Sequence, residues 1–319
     1  MSFPSPNVSV IIPVYNSAGT LPYCLKSLSD QTYPSKKTEI VIVNDGSTDR
    51  IRTFLNSYPL PEGSKVIHHT ENRGLAAARN TGIKISKGSL IVFLDADMEV
   101  EKGFIELHVK SHQKNGLVGI VGSIAPSHDN PHDKYQRYVY EAKRGALKYG
   151  DNKPLPYNAF IFNNTSIDRR VTRKVGLFDE NIRSYGGEDT EYSYRIWCEY
   201  PKGLYYNPSI KAVHHHYRKF RDALNTIEDF GQKVVPYTAQ KHSELVKLYK
   251  LDYISCKWVD SACKCNPLKL FAGLIMRCKT FKFLTSLFYH ILPYPLSNFF
   301  VRALMANSLL RGVCKYQPE

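Results

Sequence analysis

Cysteine is scarce in this chain: seven in 319 residues, an odd number. A disulfide-framed secreted domain is therefore not expected. Cys263-Lys-Cys265 has no second pair at zinc-ligand spacing, so the cysteines read mostly as buried thiols in a reducing compartment. Lys and Arg are missing from Met1 to Asn7, and the apolar run behind is too short for a signal peptide. Without a secretory route, the sequons at Asn7, Asn163 and Asn164 are expected to be chance matches. No internal repeat or low-complexity tract stands out. Acids are the scarcer charge, 29 against 43 Lys and Arg, giving +14. That excess suggests an anionic partner without choosing among nucleic acid, acidic lipid and phosphorylated substrate. With 43% hydrophobic and 23% charged residues the chain can bury a sizeable core, which excludes wholesale disorder. At about 150 residues per domain, the length fits two domains, or one large α/β domain with an extension.

The first hundred residues alternate between apolar runs and helix-spaced segments, which predicts α/β layering. Strands are expected at 8–14, 39–43, 65–69 and 90–94, and helices at 18–30, 48–57 and 75–86. Val8–Val14 and Leu90–Leu94 are almost wholly apolar, as parallel strands buried on both faces are. Polar residues gather just after these strands: Tyr15 and Asn16, Asn44 and Asp45, Asp95 and Asp97. In an open parallel sheet, the crevice beyond the carboxyl ends of the strands is where ligands bind. Further strand-like runs fall at 117–124, 159–163 and 204–206, and helices near 133–148 and 188–199, with the unit ending near residue 220.

Beyond residue 260 the composition changes. Residues 261–319 hold eight Lys or Arg and one acid, Glu319. Phe271, Leu274, Cys278, Phe281, Thr285, Phe288 and Leu292 recur at a 3-4 spacing that predicts one helix face. Residues 283–301 lack charge but contain Pro293-Tyr-Pro295, a poor spanning segment. The stretch reads equally as a basic amphipathic helix on an anionic membrane and as a helix packed on the preceding domain.

Asp95-Ala-Asp97 at a strand end would point both carboxylates to one side, able to hold a hard cation beside a diphosphate. The same pair also describes a helix cap beside a solvated acid. Asn44-Asp-Gly-Ser-Thr-Asp49 is a turn with an N-cap, or it offers Asp45 to a nucleobase or ribose. Arg73 and Arg79, in the segment Asn72-Arg-Gly-Leu-Ala-Ala-Ala-Arg-Asn80, can pair with phosphate or with carboxylate. Gly186-Gly-Glu-Asp189 is equally a flexible approach to a helix whose start favours carboxylates. His214, His215 and His216 cannot all face one metal, because strand side chains alternate.

Taken in order, these motifs resemble family 2 glycosyltransferases of GT-A fold. The resemblance covers roughly residues 8–218 and extends to Asn164, Gly176-Leu-Phe-Asp-Glu180, Gly186-Gly-Glu-Asp-Thr-Glu191 and the triple histidine. It implies a Rossmann-like, mostly parallel sheet flanked by helices over 1–220, followed by a helical basic extension over 221–319. It implies that Pro13, Tyr15 and Asp45 hold the nucleotide base, usually uracil, with Arg73 and Arg79 on the donor side. Asp95 and Asp97 would serve ribose and metal, and His214, or else His216, metal or diphosphate. Asp189 would be the general base, with Glu188 beside it as the rival base, touching the acceptor or supporting the site, and Asn164 towards the acceptor. The implied activity is inverting transfer from a nucleotide-sugar, most often a UDP-sugar, with Mn2+ or Mg2+, to a hydroxyl of a glycan or lipid-linked glycan. The expected location is cytoplasmic, with peripheral membrane contact through the extension, and nucleic acid is not an expected partner. A sugar-phosphate nucleotidyltransferase is the nearest enzymatic rival, but the phosphate loop it needs after the first strand is missing. A non-catalytic binding module would rest on the net charge alone, and the basic residues lie mostly outside the acidic motifs.

Overall fold

The computed structural model describes residues 6–113, 116–151, 153–255 and 266–317, so Cys263 and Cys265 lie outside the described residues. The chain divides into two compact units. The first comprises residues 1–130, 143–183 and 188–216; the second comprises 131–142, 184–187 and 217–319.

The first unit opens with β1 (Val8–Val14), α1 (Leu21–Ser29), β2 (Thr38–Asn44), α2 (Ile51–Ser57), β3 (Lys65–His68), α3 (Leu75–Ile85) and β4 (Leu90–Leu94). It continues through β5 (Met98–Val100), α4 (Phe104–Ser111) and β6 (Gly119–Pro126). After α5 (Lys134–Tyr140), which belongs to the second unit, come β7 (Asn164–Asp168), α6 (Arg169–Val175), α7 (Glu188–Glu199) and β8 (Leu204–His214). The eight strands form one sheet in the order β3-β2-β1-β4-β7-β6-β8-β5. β3, β2, β1 and β4 run parallel, β7 is antiparallel to both neighbours, β6 and β8 are parallel, and β5 is antiparallel to β8. The mostly parallel, helix-flanked sheet expected from the sequence is therefore present.

Every residue of β1 is buried, and its alternation divides the core. Val8, Val10, Ile12 and Val14 pack with α1 and Ile51 on one face, whereas Ile11 packs with Ala78 and Ile83 of α3 on the other. A strand covered on both faces has no solvent side, which is why β1 is apolar apart from Ser9, whose buried hydroxyl donates to Glu39 Oε1 at 2.6 Å.

Three expectations differ. Residues 159–163 are not a strand; β7 begins at Asn164, and a short 3-10 turn occupies Tyr157–Ala159. The helix expected at 133–148 is interrupted, with α5 ending at Tyr140 and a 3-10 turn at Gly145–Lys148, where Gly145 has φ +49°. The three-residue β5 carries too little pattern to be anticipated.

The second unit holds α5, α8 (Phe220–Lys233), α9 (Val235–Lys241), α10 (Glu244–Leu248), α11 (Pro267–Arg277), α12 (Lys279–Ile291) and α13 (Ser297–Cys314). Gly231 and Gly312 let α8 and α13 approach closely, each glycine facing the other helix's backbone. The single helix face expected over 271–292 is broken at Cys278, whose extended backbone ends α11 and whose Sγ accepts from Phe281 N to cap α12. The stripe splits accordingly: Phe271 and Leu274 are exposed while Thr285 is buried.

Candidate active site

The parallel half of the sheet brings the ends of β1, β2, β3 and β4 to one edge. Asp45, just past β2, is buried and holds three donors: His69 Nδ1 at 2.6 Å and Arg73 N at 3.0 Å on Oδ1, and Gly74 N at 2.8 Å on Oδ2. A carboxylate offers about four acceptor positions, so one is left for a ligand donor. Gly46 has φ +68°, and a Cβ there would collide with the backbone of Glu71 and Asn72. The loops after β1 and β2 are clasped together: Asn16 Oδ1 accepts from Thr48 N (2.8 Å), and Ala18 N donates to Asp49 Oδ2 (2.9 Å). Pro13 is buried within β1, and Tyr15 at its end leaves about half its surface open, 49%. An aromatic ring open on one face suits stacking against a base. Arg73 meets Asp45 through its backbone, while its half-exposed guanidinium pairs with Glu180 at 3.0 Å.

Asp95 and Asp97 differ from the expected strand pair. β4 stops at Leu94, and Asp95-Ala-Asp97 forms a turn closed by Met98 N donating to Asp95 O (3.1 Å). The two carboxylates diverge: Asp95 Oδ1 lies 3.6 Å from Arg79 Nη2, and Asp97 Oδ2 lies 3.2 Å from His214 Nε2. The alternation of β8 sorts the histidines. His215 turns away to Glu99 at 2.8 Å and stacks on Tyr23, whereas the His214 and His216 rings lie 5.9 Å apart. The hydrogen bond from His214, helped by the nearby charges of His214 and His216, holds Asp97 below the usual carboxylate range against the opposing effect of burial.

Asp97 Oδ1 is buried without a hydrogen-bond partner, so this carboxylate oxygen is free to accept a cation. Among the described residues no trio of His, Cys, Asp or Glu converges as a complete metal cage. Asp97 and His214 are residue types that a divalent cation accepts as ligands.

Arg79 is the hub of the site. Its side chain is fully buried and lies near the rings of Phe162 and Phe178, its Cζ 5.9 and 5.4 Å from their centroids. Nη1 donates to Glu188 Oε1 at 3.0 Å and to Asp189 Oδ1 at 2.6 Å, and Nη2 donates to Phe162 O at 2.8 Å. Asn80, next on α3, fixes the segment that supplies Phe178: it donates to Phe178 O and accepts from Phe178 N, both at 2.9 Å. One guanidinium thus serves three carboxylates, Asp95, Glu188 and Asp189. Burial first, then crowding by neighbouring acids, pushes Asp95 and Glu188 above the ordinary carboxylate range despite Arg79. Both acids of the Gly-Glu-Asp motif lie in the first turn of α7, where the helix dipole favours negative charge. They differ in access: the Glu188 side chain is 4% exposed and that of Asp189 is 20%. Asp189 Oδ2 also accepts from Phe162 N at 3.2 Å.

The structure gives three of the expected site residues protein partners. Arg79 pairs with carboxylates, one of the two kinds of partner its position left open. Glu188 meets Arg79 and is less open than Asp189. Asn164 is fully buried in β7; its Nδ2 donates to Ser123 O (2.9 Å) and Ile210 O (3.2 Å), so it braces strands rather than facing an acceptor. Sequence reasoning missed His69, which orients Asp45 and bonds Thr81 Oγ1 at 2.9 Å, although a polar residue just past β3 obeys the same strand-end rule. It singled out Glu180 only within a motif and gave it no role, and it missed the Phe162 backbone, which reaches Arg79 through tertiary packing.

The model of the family described as "Glycosyl transferase family 2" matches residues 9–176. The glycosyltransferase AglE of Haloferax volcanii is 34% identical over 134 residues, 42% of this chain and 44% of that protein. Two solved structures share the fold. TarS 1–349 of S. aureus superposes with TM-score 0.55 at 16% identity, over 96% of this chain and 90% of that one. The Pyrobaculum calidifontis mannosyltransferase PcManGT, solved with GDP-Man and Mn2+, gives TM-score 0.60 at 18% identity, over 96% and 87%. The chain spans about half the length of the curated relatives it matches.

Proposed function

The chain belongs to glycosyl transferase family 2, and from that premise we propose that it is an inverting transferase moving a sugar from a nucleotide-sugar, a UDP-sugar, to a hydroxyl of a glycan or lipid-linked glycan. The observation that carries the reading is the access difference at the Arg79 hub: three carboxylates share one buried cation, and of the Gly-Glu-Asp pair it is Asp189 that opens towards solvent. Tyr15 and Asp45 would take the base, and Asp95 the ribose. Support for a nucleotide-sugar donor comes from TarS, solved with UDP and with UDP-GlcNAc. A divalent cation, Mn2+ or Mg2+, held by Asp97 and His214 would offset the charge of the leaving diphosphate.

The chain's own contribution to the displacement is proton removal and positioning. An acceptor hydroxyl is a poor nucleophile at neutral pH, so Asp189 takes its proton as the oxygen attacks the anomeric carbon. The bond from that carbon to the diphosphate oxygen breaks in the same displacement, which inverts the centre. Arg79 and Phe162 N hold the Asp189 carboxylate in one orientation, so little reorganisation accompanies proton transfer.

A panel of nucleotide-sugars, scored by release of free nucleotide with and without Mn2+, tests the class and the donor together. One donor should be turned over in a cation-dependent way. Asp97→Ala should nearly abolish that turnover and weaken Mn2+-dependent UDP binding by calorimetry, and unchanged affinity would remove Asp97 from the metal site.

A further inference from the structure

The helices α11 and α12 turn their apolar sides to solvent. On α12, Thr285 and Tyr289 are buried, while Phe283, Leu284, Leu287 and Ile291 are exposed, Phe283 by 67% and Ile291 by 64%. On α11 the buried residue is Gly273, and Phe271 and Leu274 are exposed. The inner sides are firmly fixed within the second unit. Gly273 faces the Tyr253 carbonyl, Asn307 Nδ2 donates to Met276 O at 2.5 Å, and Lys134 Nζ donates to His290 O at 2.7 Å. The exposed face is therefore the outward side of well-anchored helices, and monomeric soluble proteins rarely leave so large an apolar patch open.

Charge selects what covers it. Residues 266–317 contain seven Lys or Arg and no Asp or Glu; Lys269 pairs with Asp252, and Arg311 and Lys315 pair with Glu228. Lys279 and Lys282 open α12, and neither has an acidic partner among the described residues. A second copy of the chain would bring two such cationic surfaces together, which like-charge repulsion opposes. No described helix is long and apolar enough to cross a membrane. We propose that this face docks peripherally on an anionic lipid bilayer, with the α11 and α12 side chains entering the headgroup–acyl boundary and Lys279 and Lys282 meeting lipid phosphates.

Sedimentation of the full-length protein with phosphatidylcholine vesicles, with and without phosphatidylglycerol, tests this in the absence of substrate, so its outcome is separate from that of the catalytic reading. Binding is expected only with the anionic lipid, and should fall with salt as the Debye length shortens from about 10 Å at 0.1 M to about 3 Å at 1 M. Lys279→Glu with Lys282→Glu should lower the partition coefficient by roughly tenfold or more. Phe283→Ser with Ile291→Ser should lose binding while keeping the melting temperature, since both side chains are exposed. Equal binding to neutral vesicles, no binding, or binding that survives both double variants would overturn the proposal. So would self-association in light scattering that Phe283→Ser with Ile291→Ser abolishes, which would assign the face to a second copy.

Discussion

At the residue scale, the adjacent pair Glu188 and Asp189 shows how a fold separates two acids that sequence leaves equivalent. Both accept from Arg79, but consecutive residues at a helix start point in different directions, and here one points into the core. Asp189→Asn keeps the shape and loses the proton acceptor, so kcat should drop by about 10²–10⁴ with UDP affinity retained. Glu188→Gln still offers Arg79 an acceptor oxygen, and its kcat should change by roughly tenfold at most. Steady-state kinetics on both variants, with melting temperatures alongside, decides between them. A dead Glu188→Gln beside an active Asp189→Asn would transfer the role of base to Glu188. The positions of Asp45, Asp97 and Asp189 at one edge of the sheet were legible because each follows a recognisable strand end or glycine pair. Arg79 was legible as an important cation but not as a carboxylate hub, because Glu188, Asp189 and Phe162 lie more than 80 residues away in the chain.

At the scale of elements, β1 to β4 could be read to within a residue and α1 to α3 to within three, because a mainly apolar run between helix-spaced segments fits little besides a buried parallel strand. β7 could not. Asn-Thr-Ser-Ile-Asp reads as a polar turn, yet its polar side chains are satisfied inside the sheet: Asn164 by two backbone carbonyls, Ser166 by His108 and His112. Satisfaction of that kind depends on neighbours that local pattern does not contain. The loop after β2 is the element on which donor binding should depend most. Gly46 is the position where it crosses the segment carrying Arg73 and Gly74, with no room for a side chain. Gly46→Ala would meet both a left-handed φ and a backbone collision, and should cost about 1–3 kcal/mol of stability. Because the same contact keeps Arg73 N and Gly74 N on Asp45, UDP affinity should fall as well. Urea unfolding and UDP calorimetry on this variant are the check; unchanged affinity in a folded Gly46→Ala protein would detach the loop from the donor site.

At the scale of the whole molecule, the chain passes between its two compact units at 131–142 and 184–187 as well as after 216, crossings that no shift in composition marks. The charge is distributed just as unevenly, with three acids gathered around the buried Arg79 in a chain of net +14. Two sets of titrating groups in the first unit act oppositely on stability. Burial pushes His108 down to about 3 and His112 down to about 4, so both stay neutral where the unfolded chain, with an ordinary value of 6.5, takes up protons. Their contribution is full above that value and is lost as pH falls towards the folded values. Asp95 and Glu188 are raised, so the fold keeps protons that the unfolded chain releases above 3.8 and 4.5; that contribution is lost as pH rises. Between about pH 4.5 and 6.5 the two sets oppose one another, and His68, also held below its ordinary value by burial, acts with the other two histidines. Relative to the wild-type protein, His108→Gln should gain less stability as pH rises through the window. Asp95→Asn combined with Glu188→Gln should gain more. Urea midpoints across this range, in chelator, test the pair of slopes by the sign of each difference from wild type rather than by total stability. The same slope in both variants would show that these buried groups do not titrate as their surroundings require.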